Sequence, residues 1–248
     1  MGLGRVRSEL LLGQVLKALP RPPASVVDAG GGTGQLAVPL ARLGYLVSVV
    51  DTSAAMLATC AQRAADESAE LAERVVTVQG DVVELPALLG PASQDAALCH
   101  EVVTSAEDAA AVLGALAGVL RPGGVLSLTY ANRDWLVLRA GRRGDYPAAL
   151  RLLDHLDATP DAGQREQRAH RAVTADELAP HVAKAGFEVI GSYGVSVFGE
   201  GDDLDSEAQR ALLELERRVA GREPYRSAAQ VVHLIGRRAP TGTPQVRP

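Results

Sequence analysis

The sequence predicts an α/β fold: a mostly parallel, twisted sheet with helices on both faces, elaborated by a helical cap insertion. Three observations carry this expectation. Short β-branched or apolar runs alternate with helical patterns between residues 26 and 130. A glycine-rich turn, Gly30-Gly31-Gly32-Thr33-Gly34, joins the first of these runs to a helix. The chain has 248 residues, 47% of them hydrophobic, enough to bury one full core.

The elements follow in order. Val6, Leu10, Leu11, Val15, Leu16 and Leu19 recur at helical spacing, and Pro20, Pro22 and Pro23 close this leading helix. Val26-Val27 forms the first strand, and residues 36–43 read as a helix stopped by Gly44. Then come a strand at 46–50, a single helix at 54–72, a strand at 75–78, a strand at 96–99 and a helix at 109–120. The turn Arg121-Pro122-Gly123-Gly124 precedes a fifth strand at 125–130. Residues 131–172 fit no further strand–helix unit and are assigned to the cap. Thr174 and Glu177 make a capping box for a helix ending near Gly186, an extended stretch covers 187–198, and a last helix at about 205–221 precedes a strand at 231–234. The chain is thus expected to be one domain: a core at 24–130, a cap at 131–172, completion of the sheet at 173–238 and a disordered tail at 239–248.

Composition excludes several classes. No stretch approaches the roughly 20 apolar residues of a membrane helix, and the N-terminus lacks a secretory signal pattern, so a cytoplasmic protein without membrane contact is expected. Cys60 and Cys99 stand far apart in apolar surroundings with no Cys or His at ligand spacing, which points to reduced core residues and no metal site. The net charge of −5 is uneven: residues 1–130 carry 8 Lys/Arg against 13 Asp/Glu, and residues 131–248 carry 17 of each. An anionic partner is therefore expected at the C-terminal half.

The chemistry should sit where the strands end, because ligands of doubly wound sheets collect there. In Asp28-Ala29-Gly30-Gly31-Gly32 the missing side chains let backbone approach a ligand closely. Asp51, followed by Thr52, ends the second strand, where a carboxylate can accept both ribose hydroxyls of an adenosine; a dinucleotide and S-adenosyl-L-methionine both satisfy this. Gly80-Asp81-Val82 after the third strand and Met56 favour the second ligand, with Asp81 receiving the adenine amino group and Met56 packing on the ring. Each also has a plainer reading: Asp51 as a helix cap, Asp81 as a turn residue, Met56 as core.

These features, with the Leu120-Arg121-Pro122-Gly123-Gly124 turn, resemble the Rossmann-like class I S-adenosylmethionine-dependent methyltransferases across residues 24–130. A narrower resemblance runs through residues 28–32, Gly34-Gln35, 119–128, 194–198, 211–216 and Glu223-Pro224-Tyr225, to the SmtA-like bacterial tRNA methyltransferases. That resemblance implies S-adenosyl-L-methionine as cofactor and esterification of the carboxyl of 5-carboxymethoxyuridine in tRNA. It also implies that Arg7 holds the methionine carboxylate and that His100, after the fourth strand, faces the cofactor. Should the acceptor be a hydroxyl or an amine, His100 or Glu101 is the nearest base by position.

Tyr130, Asn132, Trp135, Arg222, Tyr225 and Arg226 are candidates for stacking on and orienting an acceptor, with core packing the alternative for the aromatics. The cap arginines Arg139, Arg142, Arg143, Arg165, Arg168 and Arg171 could grip phosphates, or form a solvated face with their acidic neighbours. A small-molecule acceptor is the alternative to tRNA, and a non-catalytic cofactor-binding protein the alternative of another class.

Overall fold

The computed structural model describes residues 4–104, 106, 108–154 and 172–240. Helix α1 (Arg5–Leu16) is followed by β1 (Ser25–Ala29), α2 (Ala37–Arg42), β2 (Leu46–Asp51), α3 (Ala54–Glu67), α4 (Ala69–Glu73) and β3 (Val75–Gln79). The 3-10 turn Val82–Glu84 leads into α5 (Leu85–Leu89), β4 (Gln94–His100), α6 (Ala109–Val119) and β5 (Leu120–Ala131). Helices α7 (Arg133–Arg142), α8 (Tyr146–Asp154) and α9 (Ala175–Lys184), then β6 (Phe187–Val195), α10 (Ser206–Val219) and β7 (Val231–Arg238), complete the chain.

The seven strands form one sheet in the order β3-β2-β1-β4-β5-β7-β6. Strands β1 to β5 pair in parallel, and β7 runs antiparallel to both its neighbours. The order reverses between β1 and β4, which opens a crevice at their C-terminal ends. Alternation along each strand divides the core: Val26, Val47, Val49 and Leu98 face α1, α2 and α3, whereas Val27, Val50, Ala97 and Leu126 face α5, α6 and α9. Cys60 lies in the first layer and Cys99 in the second, both buried as free thiols. Burial pushes them up to about 11 and about 12 respectively, so both stay protonated.

The structure departs from the sequence reading in four places. The helix expected at 54–72 is two, because extended Ser68 ends α3 and its hydroxyl accepts the Leu71 N–H at 3.1 Å to start α4. The turn at 121–124 lies inside β5 as an irregularity, where the register with β4 shifts between Gln94 and Ala96. The short helical segments at 82–89 were not anticipated, since five-residue α5 is too brief for a periodic pattern. Ala239, assigned to a disordered tail, donates its N–H to the Gly186 carbonyl at 2.9 Å; the tail from residue 241 onward lies outside the described residues.

The cap begins with α7 and α8, neither of which has a buried residue. Its base is anchored. Asn132 caps α7, and its amide donates to the Ser227 and Ala229 carbonyls at 2.8 and 2.9 Å, while Arg133 pairs with Glu177 at 2.9 Å. Arg165, Arg168 and Arg171 lie outside the described residues. No helix among the described residues is long and apolar enough to cross a membrane.

Candidate functional site

The ends of β1, β2 and β3 are laced together by backbone. The Gly30 N–H donates to the Val50 carbonyl at 2.7 Å, and the Gly80 N–H to the Asp51 carbonyl at 3.1 Å. The Asp51 carboxylate accepts the Gly32 N–H on one oxygen at 3.0 Å and the Ser53 N–H on the other at 2.9 Å. It therefore holds the glycine turn against the start of α3, whose N-cap is Ser53. Gly32 has φ +53°, a backbone conformation that L side chains rarely adopt, and a Cβ there would touch Met56 Sδ at 3.4 Å and the Asp51 carboxylate at 3.9 Å. Gly31 is needed for a different reason: a Cβ would sit 2.6 Å from the carboxyl of Asp28. Asp28 is buried, and burial first, then the charge of Asp51, raises its pKa to about 7. Met56 is 43% exposed over this turn instead of packed in the core.

At the third strand end, Asp81 forms a capping box with Glu84: its carboxylate accepts the Val83 N–H at 3.0 Å, and its own N–H donates to Glu84 at 3.1 Å. The turn role anticipated for Asp81 is thus present, on an exposed side chain; Val82 next to it is buried and Thr52 is exposed, its carbonyl accepting from Gln79 at 3.1 Å. 

At the end of β4, Arg7 reaches in from α1. It is 8% exposed and paired with Glu101 and, at 3.5 Å, with Glu200. Its Nε has no hydrogen-bond partner although buried. His100 Nε2 is 2.8 Å from Ser127 Oγ, and His100 Nδ1 is likewise buried and without a partner. Burial, then the charge of Arg7, lowers the pKa of His100 to about 3, so the ring is neutral at physiological pH. A group so weakly basic is a poor general base.

Beyond β6 and α7 lies a cleft of about 370 Å³, within the range of small-ligand sites (roughly 300–1,000 Å³). Trp135, Phe198 and Tyr225 line it together with Arg139, Arg142 and Arg143. The Arg139 guanidinium stands 4.5 Å over the Trp135 ring, and Phe198 and Tyr225 have centroids 6.1 Å apart. Two of the residues expected to touch an acceptor are withdrawn from it. Tyr130 is an internal residue of β5, 2% exposed in the core, and so offers no ring face for stacking; Asn132 spends both ends of its amide on the cap's anchor. Arg226 is paired with Glu223 at 2.8 Å, and Arg222 is exposed nearby.

A family model described as a methyltransferase domain matches residues 27–128, the span holding all three strand ends and β4. The chain is 30% identical to the tRNA 5-carboxymethoxyuridine methyltransferase of Escherichia coli (strain K12) over 95% of its own length and 89% of that protein. The chain belongs to the class I S-adenosylmethionine-dependent methyltransferases. Ubiquinone biosynthesis O-methyltransferase of Xanthomonas campestris is 33% identical over 45% of each chain. Among solved structures, a methyltransferase of Thermotoga maritima superimposes with a TM-score of 0.62 at 20% identity, covering 94% of this chain and 89% of that one. Magnesium protoporphyrin IX methyltransferase of Synechocystis PCC 6803, with bound S-adenosylhomocysteine, gives 0.60 at 19% identity over 94% and 82%. Both share the fold.

The methyltransferase's own residues fit S-adenosylmethionine. The half-exposed Met56 thioether and the Asp51 carboxylate flanking Gly32 suit an adenosine, and the buried guanidinium with an unpartnered Nε suits an amino-acid carboxylate. Several residues of the site went unnoticed in the sequence. Glu200, the second acidic partner of Arg7, is 193 residues away along the chain, and Gln14, Ser127 and His233 carry no local pattern; only their meeting in space marks them. Among the described residues, no group of three or more His, Cys, Asp or Glu could hold a metal ion.

Proposed function

We propose that this methyltransferase esterifies a carboxylate on a nucleoside of RNA, the carboxyl of 5-carboxymethoxyuridine in tRNA, and that it works in the cytoplasm. The observation that carries the reading is the arginine-lined aromatic cleft formed by Trp135, Phe198 and Tyr225 with Arg139, Arg142 and Arg143. Aromatic faces stack on a base, and arginines meet its phosphates. The near full-length similarity to a tRNA 5-carboxymethoxyuridine methyltransferase supports the same acceptor.

In this reading Asp51 accepts the ribose hydroxyls, with Thr52 beside it. Met56 covers the adenine, and Gly80, Asp81 and Val82 border its amino edge. Asp28 supports the close backbone approach of Gly30, Gly31 and Gly32. Arg7 exchanges Glu101 for the methionine carboxylate, and neutral His100 stands behind it. Tyr225, with Arg222 and Arg226 on the same loop, orients the acceptor. The cofactor supplies an electrophilic methyl group on a sulfonium, so the protein's task is alignment of the acceptor for in-line attack. A carboxylate is already ionised at neutral pH and needs no base. That agrees with His100, which burial holds neutral, and with Glu101, engaged by Arg7.

The test is incubation with methyl-labelled S-adenosylmethionine and tRNA bearing 5-carboxymethoxyuridine. Label in tRNA that mild alkali releases, as it does from a methyl ester, is the expected result; alkali-stable label would exclude the carboxylate. A small-molecule acceptor is the second reading, favoured by the similarity of the cofactor half to ubiquinone biosynthesis O-methyltransferases. Label confined to small molecules of an extract would decide for it.

A further inference from the structure

Three buried polar side chains and the partly buried His100 form an unbroken chain that ends at the proposed cofactor site. Gln14 Oε1 of α1 lies 2.6 Å from His233 Nδ1 of β7, His233 Nε2 lies 2.8 Å from Ser127 Oγ of β5, and Ser127 Oγ lies 2.8 Å from His100 Nε2 of β4. Ser127 and His233 are fully buried and Gln14 is 5% exposed. The two imidazoles meet edge to face, with centroids 5.6 Å apart.

The direction of every hydrogen bond follows from one end. Both rings are neutral, since burial holds His233 as well as His100 far below the ordinary histidine range. A neutral imidazole has one N–H and one lone pair. An amide oxygen only accepts, so His233 carries its proton on Nδ1 and offers a lone pair on Nε2. The Ser127 hydroxyl donates to that lone pair, and Ser127 Oγ then accepts from His100 Nε2–H. The lone pair of His100 is left on Nδ1, the buried atom without a partner. Arg7, which pairs with Glu101 immediately after His100, has the complementary lack: a buried Nε–H with nothing to donate to. The reversed chain, with Gln14 turned over, would put an N–H on the buried Nδ1 of His100 and leave it, like the Arg7 Nε–H, without an acceptor.

We propose that Gln14, His233 and Ser127 are positioning residues that lock His100 with its lone pair on Nδ1, making the ring a neutral acceptor for Arg7 when a ligand carboxylate draws the guanidinium away from Glu101. The inference rests on the assignment of Arg7 to the methionine carboxylate. It assigns the relay a job in ligand discrimination: it acts on ligands that carry an amino-acid carboxylate and not on the adenosine half.

Two measurements test it. In nitrogen-15 NMR of histidine-labelled protein, the expected result is a proton on Nε2 of His100 and on Nδ1 of His233; the same tautomer in both rings, or His100 protonated on Nδ1, overturns the relay. In calorimetry, Ser127→Ala should weaken S-adenosylhomocysteine about tenfold and leave methylthioadenosine, which lacks the amino-acid group, within about twofold. Gln14→Leu should act in the same direction from the far end. Equal loss of both ligands would mean general damage to the fold and would overturn the positioning role. If the unaltered protein bound methylthioadenosine and S-adenosylhomocysteine equally, the assignment of Arg7 would fail instead, whatever the tautomers.

Discussion

At the residue scale, Asp51 and Asp28 are neighbouring carboxylates in opposite situations. Asp51 accepts two backbone N–H groups at the crevice, so Asp51→Ala removes both the glycine turn's tether and the proposed ribose contact. Calorimetry with S-adenosylhomocysteine should show affinity reduced at least about tenfold. Asp28 is buried and its pKa is raised to about 7, against an ordinary value of 3.8. The folded protein therefore keeps this proton at pH values where the unfolded chain has lost it. The resulting stability is fully present below the unfolded value and is lost as pH rises from 3.8 to about 7. Asp28→Asn should consequently gain on the parent protein across that window, by up to about 4 kcal/mol. Urea denaturation at roughly pH 5 and pH 8 checks this; a difference independent of pH would count against a raised Asp28.

At the element scale, the cap depends on Asn132. Its amide joins the start of α7 to the loop that carries Tyr225, so one residue sets both walls of the aromatic cleft. Asn132→Ala takes the donor from the buried Ala229 carbonyl and from that of Ser227, and should cost about 1–3 kcal/mol in thermal or urea unfolding. On the cleft itself, Trp135→Ala removes the ring under Arg139 and should raise KM for the proposed tRNA acceptor about 5- to 100-fold, with S-adenosylhomocysteine affinity unchanged. Steady-state kinetics with each substrate varied in turn separates the two. The capping box at Thr174 and Glu177 was legible in the sequence because its partners are three residues apart. The break at Ser68 was not: a serine tolerated within one helix and a serine capping the next look alike until the chain direction is known.

At the scale of the whole molecule, a net charge of −5 offers no general attraction for nucleic acid, so the proposed RNA binding has to be local. Replacing Arg139, Arg142 and Arg143 together by Ala should reduce the slope of log K against log salt for tRNA by about 2, read from binding titrations at several salt concentrations. An unchanged slope would place the phosphates elsewhere. The sequence by itself determined the alternation of strands and helices, and with it the crevice, because hydrophobic period and glycine turns act over a few residues; Asp28, Gly30 to Gly32, Asp51 and Asp81 were legible for the same reason. Only the tertiary structure decided that Tyr130 is core, that Asn132 is an anchor, that Arg7 meets Glu200, and that Gln14, Ser127, His233 and His100 share one hydrogen-bonded chain. Those groups come from four or more elements, and what joins them is the need to satisfy buried polar atoms once sheet and helices have packed, a condition with no period along the chain.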